Sequence, residues 1–224
     1  MVGRLNNKPK IKHLVATTLI LSIFGAYSGV IGAFAYTINA GNSVTVENTA
    51  GSPHVISTSG NITINGILRG VEVSSLGGPQ TGNGGNITLT TSSGVILVGT
   101  TGLINVNATQ AGGNGGIVTL NGPTITIDGS ISANGLTSGA GGRINMTGSN
   151  ININSLANIQ ARGMQAGALG GQIDIDSTAL TNIANGAVLS TSGTHSAGNN
   201  NFISIQGAGV NVDGLLNAQG ISTG

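Results

Sequence analysis

Gly84-Gly85-Asn86-Ile87-Thr88-Leu89-Thr90 sets a pattern that returns four times down the chain. It comes back as Gly115-Gly116-Ile117-Val118-Thr119-Leu120-Asn121, Gly141-Gly142-Arg143-Ile144-Asn145-Met146-Thr147 and Gly170-Gly171-Gln172-Ile173-Asp174-Ile175-Asp176. The fifth copy, Asn200-Asn201-Phe202-Ile203-Ser204-Ile205-Gln206, keeps the alternation and has lost the glycines. The first aliphatic residue falls at 87, 118, 144, 173 and 203, a repeat of 26–31 residues. Self-similarity at that period is the mark of a repeat architecture. Within each copy apolar and polar residues alternate, which is strand spacing and not helix spacing.

Two further short strands follow each copy. The second is Val95-Ile96-Leu97-Val98, then Ile125-Thr126-Ile127, Ile151-Asn152-Ile153 and Val210-Asn211-Val212, with Ala179-Leu180-Thr181-Asn182-Ile183 the poorest match. The third reads Ile131-Ser132-Ala133-Asn134-Gly135, Ile159-Gln160-Ala161-Arg162-Gly163, Leu189-Ser190-Thr191-Ser192-Gly193 and Leu216-Asn217-Ala218-Gln219-Gly220. Three short strands per repeat, punctuated by glycine, predict one turn of an all-β, right-handed parallel β-helix. One turn cannot bury its own apolar face, so turns must stack. The expected inward columns are Ile87, Val118, Ile144, Ile173, Ile203 and Leu89, Leu120, Met146, Ile175, Ile205. The column Thr88, Thr119, Asn145, Asp174, Ser204 is expected to face outward.

Outside the repeats, residues 1–35 read as an export signal. Arg4, Lys8, Lys10 and Lys12 form its basic start, Leu14–Phe24 is an uncharged run, and Ala33-Phe34-Ala35 supplies a small-x-small cleavage site. Cleavage would leave Tyr36 as the new N-terminus. Kept in place, Leu14–Ala35 is long enough to span a bilayer. Residues 36–59 are expected to be an entry segment of the solenoid, with Ser52-Pro53-His54 a turn, and 60–224 its β-helix repeats. Ile62-Thr63-Ile64 resembles a degenerate earlier copy, 25 residues before Ile87. Leu76–Gly85, with five glycines and a proline, is predicted to be a loop.

The whole chain carries a net charge of +1. Beyond residue 35, Arg69, Arg143 and Arg162 stand against Glu47, Glu72, Asp128, Asp174, Asp176 and Asp213, a net of −3. That leaves no basic patch for nucleic acid. Tyr36 and Phe202 are the only aromatics there, so base-stacking platforms are scarce, as are rings on which sugars stack. With no cysteine there is no disulfide framework, although the destination is outside the cytoplasm.

The export signal, the Gly-Gly-x-Ile-x-Leu-x repeats and units such as Gly129-Ser130-Ile131-Ser132-Ala133-Asn134-Gly135 together resemble the filamentous-haemagglutinin-type exoproteins of Gram-negative bacteria. The resemblance covers about 60–224 and is one of repeat style. It implies a β-helix, a surface-adhesin or filament role, an outer-membrane export partner, and a host-surface or glycan receptor. The family's secretion domain carries Asn-Pro-Asn-type motifs, and this sequence has none.

Several constellations invite a sharper reading. Asp174 and Asp176 alternate on one strand, so both carboxylates should leave the same face. A calcium site needs six or more oxygens, and acid catalysis on sugars needs two carboxyls in opposite roles. Neither set is complete in the sequence, so a solvated strand face is expected. Gly112-Gly113-Asn114-Gly115-Gly116 resembles a calcium-binding nonapeptide without its aspartate and reads as turn glycine. His54 and His195 read as loop histidines. The Asn-x-Thr triplets at Asn61, Asn86, Asn107 and Asn145 follow from the strand pattern. No nucleophile–base pattern, phosphate loop or nucleotide fingerprint occurs, so no catalytic, cofactor-binding or metal-binding residue is assigned.

A secreted or cell-surface structural protein, non-enzymatic and adhesive, is therefore the expected function. The alternatives are an ice- or carbohydrate-binding solenoid, for which Thr88, Thr90, Thr119 and Thr147 begin an array, and a polysaccharide-degrading β-helix enzyme. Because Ile221-Ser222-Thr223-Gly224 matches Leu136-Thr137-Ser138-Gly139, where a new turn opens, the final turn is expected to be covered by further repeats or by end-to-end contact with a second molecule.

Overall fold

The structure, a computed structural model, describes residues 35–164, 168–193 and 201–219. The predicted export signal lies outside these residues apart from Ala35, as do His195 and Gly220–Gly224. All of the described residues belong to the unit 32–224. No helix occurs among them.

Their strands stack in parallel as a β-helix of about six turns, organised as three ladders. The first ladder runs through His54–Thr58, Ile87–Thr91, Ile117–Asn121, the front of Arg143–Ile153, the front of Gln172–Ile183, and Phe202–Gln206. The second holds Tyr36–Ile38, Ile62–Ile64, Val95–Val98, Thr124–Ile127, the rear of those two long strands, and Gly209–Val212. Ser43–Asn48, Ile67–Val73, Leu103–Asn105, Ser130–Ser132, Asn158–Gln160, Val188–Ser190 and Leu215–Asn217 form the third. The first two ladders make one sheet because Arg143–Ile153 and Gln172–Ile183 pass from one to the other without a break.

The alternation decides what is inside. Ile87, Val118, Ile144 and Ile173 are in register and fully buried, and so are Leu89, Leu120, Met146 and Ile175. Ile96, Ile125 and Ile151 fill the matching column of the second ladder, and Leu68, Ile104, Ile131, Ile159 and Leu189 that of the third. Full burial of each such side chain contributes about 1.5–3 kcal/mol. In the last described turn the columns are more open. Ile203 and Ile205 are half-buried, and Val210, Val212 and Leu216 are exposed.

The glycine pair has a steric cause. A Cβ on Gly142 would collide with the carbonyl oxygen of Gly116 in the turn before it, and one on Gly141 with the carbonyl of Ala161. Backbone meets backbone there, and only hydrogen fits between. The same corner closes each circuit: Gly116 N–H donates to Val106 at 2.7 Å, Gly142 to Ala133 at 2.6 Å and Gly171 to Ala161 at 2.7 Å.

Asparagine side chains tie the corners from turn to turn. Asn48 Oδ1 accepts the N–H of Asn86 at 2.9 Å, and Asn86 Oδ1 accepts that of Ile117 at 2.9 Å. Asn83, Asn114 and Ala140 form a second such chain, and Asn107, Asn134 and Arg162 a third. Asn61 does the same for Val95. Each side chain satisfies an N–H at the edge of a strand or in the corner beside it.

Four expectations need correction. Ile62-Thr63-Ile64 is not a copy of the Ile87 strand; it pairs with Ile96–Val98 in the second ladder. The partner of Ile87 is His54, so Ser52-Pro53-His54 leads directly into a strand. His54 is therefore no loop histidine; it occupies the first inward column. The predicted loop Leu76–Gly85 contains the strand Gln80–Gly84, which turns back antiparallel on Ile67–Val73. This hairpin is fastened by acids: Glu72 Oε1 accepts from Thr81 Oγ1 at 2.8 Å and Asn83 Nδ2 at 3.0 Å, and Glu47 accepts the Gly77 N–H at 3.0 Å.

The poorest copy earns its description. Between Gly148 and Asn150 the pairing with the next turn shifts, and Thr181 lands in the column of Ile151. Its hydroxyl is fully buried and donates to Ser177 Oγ at 2.8 Å, which offsets the cost of a polar atom in an aliphatic column.

Candidate functional site

Inward residues are constrained by stacking, so chemistry must be sought on the outward faces. The first-ladder face has three outward columns. Ile117, Arg143, Gln172 and Phe202 form one, directly after the glycine corner. Thr88, Thr119, Asn145, Asp174 and Ser204 form the next, and Thr90, Asn121, Thr147, Asp176 and Gln206 the third.

Arg143 is the anchor of this face. Its Nε donates to Asn145 Oδ1 at 2.8 Å and to Asp174 Oδ2 at 3.0 Å, while Nη2 reaches Asp174 Oδ2 at 2.7 Å. The guanidinium thereby bridges two turns. The pair is partly solvated, with 49% of the Arg143 side chain and 26% of the Asp174 side chain exposed. Asp176 lies on the same strand face, two residues on, and is exposed.

The two carboxylates do share a face, as their alternation implies. Both project from one strand, and Asp174 is engaged by Arg143. Among the described residues no group of three or more His, Asp or Glu is placed to hold a metal ion.

Beside Arg143 lies a shallow recess of about 230 Å³. Gly141-Gly142 and Gly170-Gly171 make its floor, with Ile117, Ala140, Arg143 and Gln172 around it. Ile117 and Phe202, the apolar members of that outward column, are 39% and 37% exposed. The sequence marks Arg143 and Asp174 by charge. The alignment of the copies already puts Arg143, Gln172 and Phe202 at one position of the repeat, but it does not show the recess beside Arg143.

The threonines of the first-ladder face do not form an unbroken array. Asn121 stands between Thr90 and Thr147, and Asn145 and Asp174 continue the column of Thr88 and Thr119. The second-ladder face differs. One outward column is Thr37, Thr63, Leu97, Thr126, Asn152, Asn182 and Asn211, and a second is Val95, Thr124, Asn150, Leu180 and Gly209, both without a charge.

Burial lowers the pKa of His54 and raises that of Tyr36. Each neutral form is the one that the end of the core accommodates.

Comparison of the chain with protein-family models, curated proteins and solved structures gave no match.

Proposed function

We propose that this chain is a non-enzymatic structural protein of the cell surface or secreted space, a β-helix rod used for attachment or filament formation. The observation that carries the reading is the division of labour in the stack. Aliphatic columns are committed to the interior, while each turn presents a comparable set of amides and hydroxyls outside. Six turns at about 4.8 Å make a rod roughly 30 Å long. Side chains repeated along a rigid rod engage a repetitive surface by many weak contacts, whose combined strength exceeds that of any one.

Export of such a rod uses the segment 1–35, and passage across an outer membrane requires a transporter partner. A host-surface or glycan receptor and end-to-end association with a second copy are the interactions that this role calls for. Nucleic acid is not among them.

The test is attachment. Purified residues 36–224, coated on a surface, should retain cells above an albumin control, and antibody against the protein should label the surface of intact producing cells. Retention at the albumin level together with a purely cytoplasmic label overturns the reading. A second reading, an ice- or carbohydrate-binding solenoid, is favoured by the uncharged second-ladder face. Inhibition of ice recrystallisation by the same preparation, without cell retention, would select it.

A further inference from the structure

One exposed corner of the stack is set up for a covalent change that needs only water. We propose that Asn185 is a self-modification site, where the asparagine cyclises onto the next backbone nitrogen and opens to aspartate and isoaspartate. The site is independent of the attachment reading.

The chemistry belongs to asparagine followed by glycine, where no side chain hinders the approach of the nitrogen. Six such pairs occur: Asn65-Gly66, Asn83-Gly84, Asn114-Gly115, Asn121-Gly122, Asn134-Gly135 and Asn185-Gly186. At the last, the Gly186 nitrogen gives its proton to water and forms a bond to Asn185 Cγ. The Cγ–Nδ2 bond breaks and ammonia leaves, which closes a five-membered imide. Water then adds to either imide carbonyl. Opening at one leaves aspartate in an unaltered backbone. Opening at the other runs the backbone through the side chain, as isoaspartate.

Five of the six glycine nitrogens are held back. Gly66 N–H donates to the Ile38 carbonyl at 3.1 Å, Gly84 to Asn114 at 2.9 Å and Gly115 to Ala140 at 2.9 Å. Gly122 donates to Thr147 at 3.1 Å and Gly135 to Arg162 at 2.9 Å. Three of the asparagine side chains are tied as well, Asn83 Oδ1 accepting from Asn114 N–H, Asn114 Oδ1 from Ala140 and Asn134 Oδ1 from Arg162. Each of these pairs must open locally before its nitrogen can leave the bond and attack.

Asn185-Gly186 is free of these ties. It forms the middle of the turn Ala184–Ala187, between the strands Gln172–Ile183 and Val188–Ser190. Ala187 N–H closes the turn on the Ala184 carbonyl at 3.0 Å, as the last residue of a β-turn does. The Gly186 N–H takes no part in that bond and has no acceptor among the described residues. The Asn185 side chain has no hydrogen-bond partner among them either. Both residues are exposed, so water reaches the nitrogen and both imide carbonyls. Gly186 has φ +94°, a backbone region that favours glycine, so the turn itself keeps glycine after Asn185. The change falls between two bonds that seat the last described turn, Asp213 N–H to Ile183 at 2.8 Å and Leu215 N–H to Ala187 at 2.9 Å.

The arginines sort the sites for the test. Trypsin releases 163–224, which holds Asn185 and none of the other pairs, and 70–143, which holds Asn83, Asn114, Asn121 and Asn134. The folded protein is aged at mildly alkaline pH and digested. Both fragments are then read by mass spectrometry and by isoaspartyl methyltransferase labelling. Per pair, 163–224 should convert about tenfold or more faster than 70–143, whose pairs wait on local opening. In urea that preference should vanish. Fragment spectra should place the change at Asn185, and Asn185→Gln, on an exposed turn, should remove it with the strand circular dichroism intact. Equal rates per pair in the folded protein, conversion at another residue of 163–224, or a signal that persists in Asn185→Gln overturns the site. So does a folded 163–224 segment that stays unmodified while the chain in urea converts. The parent's fragment spectra decide the matter even if the variant fails to fold.

Discussion

The two faces of the larger sheet share a mostly aliphatic interior, broken by Thr181 in the second ladder, and differ chiefly outside. Ile144 and Ile151 belong to the same strand, lie in the first and second ladders, and are equally buried. Beside them the outward residues diverge. The first-ladder face carries Arg143, Asp174 and Asp176, with a recess against the glycine corner. Threonine and asparagine dominate the second-ladder columns, interrupted by Val95, Leu97, Leu180 and Gly209. The charged residues single out the first-ladder face as the candidate site.

The largest test of this comparison is inside, where the faces should not differ. Ile144→Asp and Ile151→Asp each place an unpaired carboxylate in a fully buried column, at a cost of several kcal/mol. Both should abolish cooperative folding, read by circular dichroism and urea denaturation. If one is tolerated, the two ladders do not share an equivalent interior.

A smaller effect comes from the start of each ladder. His54 heads the inward column of Ile87, and Tyr36 that of Ile62. The folded pKa of His54 is lowered by burial, so as pH falls below about 6.5 the unfolded chain takes up the proton first. Stability should be full above that pH and decline below it. Tyr36 acts at the other end. Its pKa is raised, the unfolded chain loses its proton first, and stability should decline above about pH 10. Urea midpoints of the parent should drop from pH 7.5 to 5.5, and those of His54→Val should not. An equal drop in both would remove His54 from the account.

Smallest of all should be changes outside. Asp174→Asn weakens a partly solvated ion pair and should cost no more than about 1 kcal/mol. Asn152→Asp, its counterpart on the uncharged face, should be within about 0.5 kcal/mol of the parent. A shift of several kcal/mol in either urea midpoint would mean that outward residues carry folding as well.

Much of this was legible in sequence because the interior repeats. The inward columns from Ile87 to Ile175 could be read residue by residue, since a one-residue slip would turn them outward. Ile62 misled because its distance from Ile87 fits the period, whereas the true partner begins with His54, whose polarity hides the pattern. The hairpin at Gln80–Gly84 was hidden by glycine, which reads as loop. The asparagine chains carried no periodic apolar signal, so composition showed their abundance and not their use. The alignment of the copies already set Arg143, Gln172 and Phe202 in one column, whereas the recess and the Arg143 hydrogen bonds come only from the structure.

Register is accordingly the central claim, and the absence of cysteine makes it testable without background. Outward Thr119 and Asn145 face each other in adjacent turns, about 4.8 Å apart, while Thr88 and Asn145 are two turns apart, about 9.6 Å. Mild oxidation of Thr119→Cys/Asn145→Cys should give an intramolecular disulfide, and Thr88→Cys/Asn145→Cys should remain reduced. The free-thiol count after oxidation reads both. Cross-linking of the distant pair, or failure of the adjacent pair in a folded protein, would contradict the alignment of the columns.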